Sequence, residues 1–355
     1  MNKLSFTKKL SAKQLALFSK SLHDFLNAGL LISNALIIIS ENQRNKAFKR
    51  QLMEIANHIN QGNKISKSFA QSHSFFPTLY IEMIKMGETS GKLTEVLEHL
   101  YHYYSEQSKI KNKVLQSISY PCIIFIVTCF VMIFLFTQVV PVFIETLVGM
   151  GGEIPPITQL ILSIYTFFQQ FGFGIFIFIV LAIICTKYLK KIPNFSLVLD
   201  RFKLRLPVIG RLLFLVDAIR FTKSIKMLMD AGISLQSSLD VVQCVLKNSY
   251  FTSKIKAFKI NLRNGFGITQ SLSCLDFFPN DFLSIIKTGE SLGELDNAFY
   301  SLSNLYEQEL EHRLSILSRL IEPTIIILAG LIIATIVISV MLPLYQMYEG
   351  YINIL

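Results

Sequence analysis

Three charge-free stretches, residues 114–144, 154–186 and 323–348, constrain this 355-residue chain more than any other feature. Each is dominated by Ile, Leu, Val and Phe. Each exceeds the roughly 20 apolar residues that a helix needs to cross a bilayer. All 34 Lys and Arg lie outside them, in residues 1–113 and 187–319. The connection between the first two carries only Glu145 and Glu153, and the chain beyond Leu320 only Glu322 and Glu349. The pattern predicts transmembrane helices over 118–142, 166–188 and 322–345.

Charge sets the expected orientation, because cytoplasmic segments carry the excess of Lys and Arg. Residues 1–113 hold 16 basic against 8 acidic residues, and residues 187–320 hold 18 against 12. Both blocks are therefore expected in the cytoplasm, as helical domains over 1–113 and 189–319. The short loop 143–165 and the tail 346–355 are expected outside, with the N-terminus inside. At 52% hydrophobic and a mean hydropathy of +0.48, the chain is too apolar for an ordinary soluble enzyme. It is too charged for a many-span transporter. The net charge of +10 fits two cytoplasmic domains beside an anionic leaflet. The basic residues are dispersed, with no aromatic-basic stripe, so nucleic acid is not an expected partner.

The five cysteines have no metal-ligand spacing and form no disulfide framework, which suits a reducing compartment. Cys122, Cys129 and Cys185 fall in spans, Cys244 and Cys274 in the second basic block. No cleavable signal peptide is expected. Residues 25–40 are uncharged, but Asn27, Gly29, Ser33 and Asn34 interrupt them, which predicts a buried helix–turn–helix.

The sequence repeats itself at an offset of 202–203 residues. Phe18 to Gly29 aligns with Phe221 to Gly232, and Phe75-Phe76-Pro77 with Phe277-Phe278-Pro279. Gly87-Glu88 and Gly91 align with Gly289-Glu290 and Gly293, Pro121 with Pro323, and Pro141 with Pro343. A constant offset over half the chain predicts a duplicated unit, helical domain followed by membrane helix. The second span is then an extra crossing that keeps both domains on one side.

Within each unit the apolar period is helical. Leu15, Phe18, Leu22, Phe25 and Leu26 share a face over 11–27, and Gly29 suits a left-handed terminus. Further helices are expected over 33–41 (Ser33 as cap), 44–60, 64–71, 77–86 with Pro77 in the first turn, and 92–113 running towards the first span. That gives about six helices per domain and no alternating strand. The class expected is an all-α membrane protein.

Chemical motifs are sparse. Gly87-Glu-Thr-Ser-Gly91-Lys92 resembles a phosphate loop only superficially: one residue is missing between the glycines, and Leu93 stands where Ser or Thr would hold magnesium. It reads instead as a helix–turn–helix corner, with Glu88 and Glu290 capping or bridging helices. Glu95, His99, His102 and Glu106 fall on one helix face, a stripe that can hold a metal in a bundle. The second copy has Asn297, Ser301, Asn304 and Gln308 there, so a solvated polar face is expected and no metal or cofactor. No HExxH, nucleophile elbow or Ser-His-Asp set is present, and no catalytic residue is assigned. The spans carry no ionisable side chain of the kind that marks an ion path. Pro121 and Pro323 are read as span entries, where proline is tolerated, and Pro141 and Pro343 as exits that end or kink each span.

Taken in order, these stretches resemble the bacterial F/PilC family of inner-membrane platform proteins, from type II secretion, type IV pilus and competence machineries. The likeness rests on Phe18–Leu36 and Phe221–Leu239, and on Gly87 to Leu93 with Gly289 to Leu295. It also rests on Leu206-Pro-Val-Ile-Gly210, Val140-Pro141 with Pro155-Pro156, Ile321-Glu-Pro323 and Leu342-Pro343. It covers the chain from about residue 13. Many members carry a further N-terminal segment that this sequence does not show. Leu292 replaces the small residue usual in the family, so the second corner is expected to pack less tightly.

The resemblance implies a non-enzymatic platform. Its partners would be a cytoplasmic assembly ATPase, pilin or pseudopilin subunits, other inner-membrane assembly proteins and further copies of itself. Relative rotation of the two domains would be transmitted through long helices at 92–142 and 297–343. A membrane receptor or adaptor, or a small transporter, is the alternative. The paired glycines, Glu88, Glu290 and the span prolines are expected to be architecture.

Overall fold

The helical period of the first hundred residues is realised as five helices packed on the start of a sixth. The computed structural model describes residues 10–72, 75–139, 193–207, 209–275 and 277–352, with 141, 142, 145 and scattered helical positions between 163 and 181. Among the described residues every regular element is helical. The first copy comprises α1 (Ala12–Asn27), α2 (Ile32–Glu41), α3 (Lys46–Asn60), α4 (Ile65–Ala70), α5 (Thr78–Ser90) and α6 (Leu93–Phe134). A π-helical segment, Leu135–Val139, follows α6. The second copy comprises α7 (Pro193–Arg205), α8 (Ile209–Asp230), α9 (Leu235–Val242), α10 (Ser249–Arg263), α11 (Ile268–Ser273), α12 (Asn280–Leu292) and α13 (Leu295–Ile352).

Local chemistry sets the starts. Ser11 and Gln14 form a reciprocal capping box on α1, with Gln14 N donating to Ser11 Oγ at 3.3 Å and Ser11 N to Gln14 Oε1 at 2.9 Å. Asn45 caps α3 through the amides of Ala47 and Phe48, and its equivalent Asn248 caps α10 through Phe251. The expected Ser33 cap is not formed. Leu31 occupies the N-cap position of α2 and Ser33 is a buried interior residue. The equivalent of Leu31 in the second copy is Ser234, which does cap α9, accepting from Ser237 N. Pro77 sits at the N-cap of α5 rather than within its first turn.

Each copy closes around the same aromatic cluster. Phe18, Phe48, Phe76 and Tyr80 in the first copy correspond to Phe221, Phe251, Phe278 and Phe282 in the second, all buried. Ring centroids lie 5.9 Å apart for Phe18–Phe48 and 6.2 Å for Phe221–Phe251, 5.1 Å for Phe76–Tyr80 and 4.5 Å for Phe278–Phe282. Such pairs add about 0.5–1.5 kcal/mol each beyond area burial. One substitution is compensated. Ser19 Oγ donates to the buried Tyr80 hydroxyl at 3.2 Å. Ser19 Oγ also bonds back to its own helix at Leu15 O, 2.9 Å away, and where Phe282 lacks a hydroxyl Thr222 in place of Ser19 keeps that back-bond, to Ala218 O and Ile219 O.

The chain divides into two compact units, one of the described residues up to Lys113 with Ser196–Glu311, the other Val114–Phe195 with His312–Leu355. In the first unit the two copies are bonded together. Tyr103 Oη lies 2.9 Å from Ser224 Oγ. Lys223 Nζ on α8 lies 2.6 Å from Glu106 on α6 and 2.5 Å from Glu307 on α13. Lys113 of α6 pairs with Glu311 of α13.

Among the described residues two helices are long and apolar enough to cross a membrane, represented by Leu93–Val131 and Leu295–Leu331. Their apolar windows are almost wholly unburied, unlike the core helix of a soluble protein. The predicted span 166–188 and loop 143–165 lie largely outside the described residues, as does the extreme end of the tail.

The prolines correct the sequence reading. Pro121 does not open a helix but lies deep inside α6, and Pro323 and Pro343 lie inside the 58-residue α13. A helical proline leaves the carbonyl four residues earlier without its amide. For Pro121 that carbonyl belongs to Ser117, and in the second unit Ser318 Oγ donates to it at 3.0 Å. Serine hydroxyls commonly satisfy such freed groups within membrane helices. Ahead of Pro141 the backbone widens into the π segment Leu135–Val139, another way of accommodating a missing amide. Pro141 itself is still helical.

Candidate functional site: the paired corners and the long helices

The two corners that the sequence singled out are built alike, and their glycines do different jobs. Helix α4 has six residues and its N-cap, Lys64, makes no side-chain cap bond. Its first amides need acceptors from elsewhere. Glu88, from α5, supplies them. Ile65 N donates to Glu88 Oε1 at 2.6 Å, and Ser66 N and Ser66 Oγ donate to Glu88 Oε2 at 3.1 and 2.5 Å. In the second copy Ile268 N donates to Glu290 Oε1 at 2.6 Å, and Thr269 N and Oγ1 donate to Oε2 at 2.8 and 2.5 Å. A carboxylate at a helix N-terminus is also favoured by the helix dipole. Burial alone would raise both carboxyl pKa values. The hydroxyl and two amide donors together outweigh it and hold both below the ordinary glutamate value.

Gly87 and Gly289 are close-approach positions. A Cβ on Gly87 would lie 3.0 Å from Leu93 Cα and 3.2 Å from Val96 Cβ, and one on Gly289 would overlap the Ala298 side chain. Gly91 and Gly293 instead end α5 and α12 in the left-handed region, at φ +72° and +74°. The expected looser second corner is not found. Leu292, like Ser90 in the first copy, faces outward, and Gly289 meets its neighbour more tightly than Gly87 does. Gly29 and Gly232 have φ +84° and +81° after α1 and α8.

The polar stripe on α6 is occupied by ion pairs. Lys92 binds Glu95 at 3.0 Å, Glu106 belongs to Lys223, and His102 lies 3.9 Å from Glu98. Among the described residues no group of three or more His, Cys, Asp or Glu is placed to hold a metal. His99, His102 and Glu106 instead line a cavity of about 280 Å³ with Lys223, Lys226 and Asp230 of α8. Lys226 is itself paired with Asp230 at 2.6 Å.

Sequence reasoning missed three features. Gly62 and Gly265 form a further repeat pair at φ +83° and +89°, detectable from the same offset. Lys223 aligns with Lys20, but the first copy spends that lysine on an exposed intrahelical pair with Asp24, so alignment could not reveal the junction. Buried Asp200 and Asp217 hold the start of α10, accepting from Ser249 N at 2.9 Å and Asn248 N at 2.9 Å. Gln14 stands opposite Asp217 in the first copy, so the repeat gave no signal there either.

A duplicated helical unit, each copy running unbroken from a bonded aromatic core into a long apolar helix, defines a class of helical membrane protein. The sequence profile of the family "Type II secretion system (T2SS), protein F" matches the chain twice, over residues 18–141 and 221–343. The chain belongs to that family. It is similar to the type IV pilus assembly protein PilC of Thermus thermophilus, 29% identical over 94% of this chain and 82% of the relative. PilC of Pseudomonas aeruginosa is 26% identical over 96% and 91%. Type II secretion system protein F of the same organism is 26% identical over 98% and 86%.

Proposed function

We propose that the chain is a non-enzymatic inner-membrane platform of a type IV filament machinery, whether for secretion, pilus or competence. It would couple a cytoplasmic assembly ATPase to insertion of pilin or pseudopilin subunits. The observation that carries this reading is the double match of one family profile onto two copies whose last helix continues from the helical core into an apolar segment. A helix without a break transmits displacement along its axis. Under this reading a force applied to α1–α5 or α8–α12 would be carried along α6 or α13 into their apolar segments.

Under this reading residues 1–113 and 189–319 are the cytoplasmic domains, and 166–188 is the second of three spans, between 118–142 and 322–345. The loop 143–165 and the tail lie outside, and copies assemble at the filament axis. The paired corners, Glu88, Glu290 and the prolines hold architecture rather than chemistry. The test is affinity purification of the full chain from its native membrane. Recovery of an assembly ATPase and prepilin-like subunits is expected. Their absence, together with normal filament assembly after deletion of the gene, would overturn the reading.

A further inference from the structure

Helix α7 buries two polar residues and leaves three large apolar ones exposed, unlike the usual helix on a soluble domain. Ser196 and Asp200 are buried against the second copy, while Phe195, Val198 and Phe202 are 38%, 67% and 61% exposed. Those three positions, spaced i, i+3 and i+7, form one stripe. Arg201 and Arg205 flank it on the same exposed side, with Arg201 over the Tyr250 ring at 5.4 Å. The helix cannot roll to hide the stripe. Asp200 is fixed to α10 through Ser249 N and through its carbonyl, which accepts from Asn248 Nδ2 at 3.2 Å. The next corner continues the pattern. Gly210 approaches the Leu204 carbonyl too closely for any Cβ, and Ile209 and Leu213 beyond it remain exposed.

We propose that the Phe195–Val198–Phe202 face of α7 lies on an anionic lipid surface as an interfacial anchor of the second copy. Large apolar side chains bordered by arginines are what a headgroup boundary accepts, the rings entering the acyl edge and the guanidinium groups meeting phosphates. Continuity supports a lipid occupant over a protein one. Helix α7 begins at Pro193, only seven positions after Thr186, the last residue of a charge-free stretch.

The inference rests on the membrane placement proposed above, and the chain's lack of tryptophan allows the two to be separated. Single-tryptophan variants Phe202→Trp, Leu31→Trp and Phe130→Trp of the full chain would be placed in nanodiscs of equal parts phosphatidylcholine and phosphatidylglycerol, with acyl-brominated lipid as quencher. Phe202→Trp is expected to lose emission to the bromines, less than Phe130→Trp in the first span, while Leu31→Trp keeps its emission. Quenching of Phe130→Trp without Phe202→Trp overturns the anchor and leaves the membrane reading intact. Failure of both to quench overturns the membrane reading and the anchor with it. A blue-shifted but unquenched Phe202→Trp means that a protein surface covers the face, which also overturns it. Equal quenching in phosphatidylcholine alone overturns the requirement for anionic lipid.

Discussion

Glu88 and Ser66 stand 22 residues apart in sequence and are joined by two hydrogen bonds, 2.5 Å from hydroxyl to carboxylate and 3.1 Å from amide to carboxylate. Glu290 and Thr269 repeat the arrangement at 2.5 and 2.8 Å. The short helices α4 and α11 thereby start on a side chain from the next helix instead of on one of their own.

Removing that acceptor is expected to cost more than losing an exposed cap. Glu88→Ala leaves two amides and a hydroxyl without their charged partner, and about 1–3 kcal/mol of stability should go with it. Glu88→Gln should cost less, since it keeps an acceptor. Thermal unfolding of the detergent-solubilised chain, followed by far-ultraviolet circular dichroism, measures both. A melting temperature unchanged in Glu88→Ala would contradict the capping role.

The same pair predicts a pH response. Both carboxyl pKa values are lowered by folding. Their contribution is complete above the unfolded glutamate value of about 4.3 and is lost as pH falls through the lower folded value. Stability should therefore drop on acidification below about pH 4.3, and less steeply in a Glu88→Gln/Glu290→Gln double variant. Parallel slopes for the two proteins would contradict this.

The close-approach glycines should respond unequally to alanine. At Gly289 the new methyl would overlap Ala298, whereas at Gly87 it would stand 3.0 Å or more from its neighbours. Gly289→Ala is expected to lose about 1–3 kcal/mol, as in other overpacked sites, and Gly87→Ala less. Leu292→Ser, at an exposed position, should stay within about 0.5 kcal/mol. Denaturant unfolding of the three variants gives the order directly, and a larger loss for Leu292→Ser would reverse the argument.

Lys223 is the junction between the copies. Only 9% of its side chain is exposed, and it answers both Glu106 and Glu307. Lys223→Met removes the shared cation and leaves two carboxylates facing one another, for which about 1–3 kcal/mol is expected. Adding Glu106→Gln and Glu307→Gln should recover part of the loss. Hydrogen exchange at Tyr103–Glu106 and in α8 should rise in the single variant, and unchanged exchange there would show that the junction does not hold the copies together.

Ser318→Ala removes the hydroxyl that donates to the Ser117 carbonyl, which Pro121 gives no helical amide. A side-chain hydrogen bond between membrane helices is worth about 0.6 kcal/mol on average. A loss of that order is expected, and it should vanish when Pro121 is also replaced by Ala, because the helix then supplies its own amide. An equal loss in both backgrounds would show that Ser318 does not serve the proline.

Composition and period determined much of this protein before any coordinates. Charge-free runs longer than a bilayer-spanning helix, a 202–203-residue offset and a 3.6-residue apolar period fix an all-helical, duplicated, membrane-associated chain, because each is a one-dimensional consequence of burial. The offset also picked out Gly87, Glu88, Gly91 and their partners. It could not tell that Gly87 yields space to Leu93 while Gly91 turns the backbone, since both needs select the same residue. Nor could it show how Pro121 is accommodated within the long helix expected over 92–142. That outcome depends on a donor such as Ser318, distant in sequence, reaching the freed carbonyl. Lys223 shows the same limit. Its counterpart Lys20 pairs within its own helix, and only the packing of α6, α8 and α13 decides that one copy's lysine becomes the link to the other. Local pattern is written along the chain, whereas the partner of a buried polar group is chosen by which helices meet.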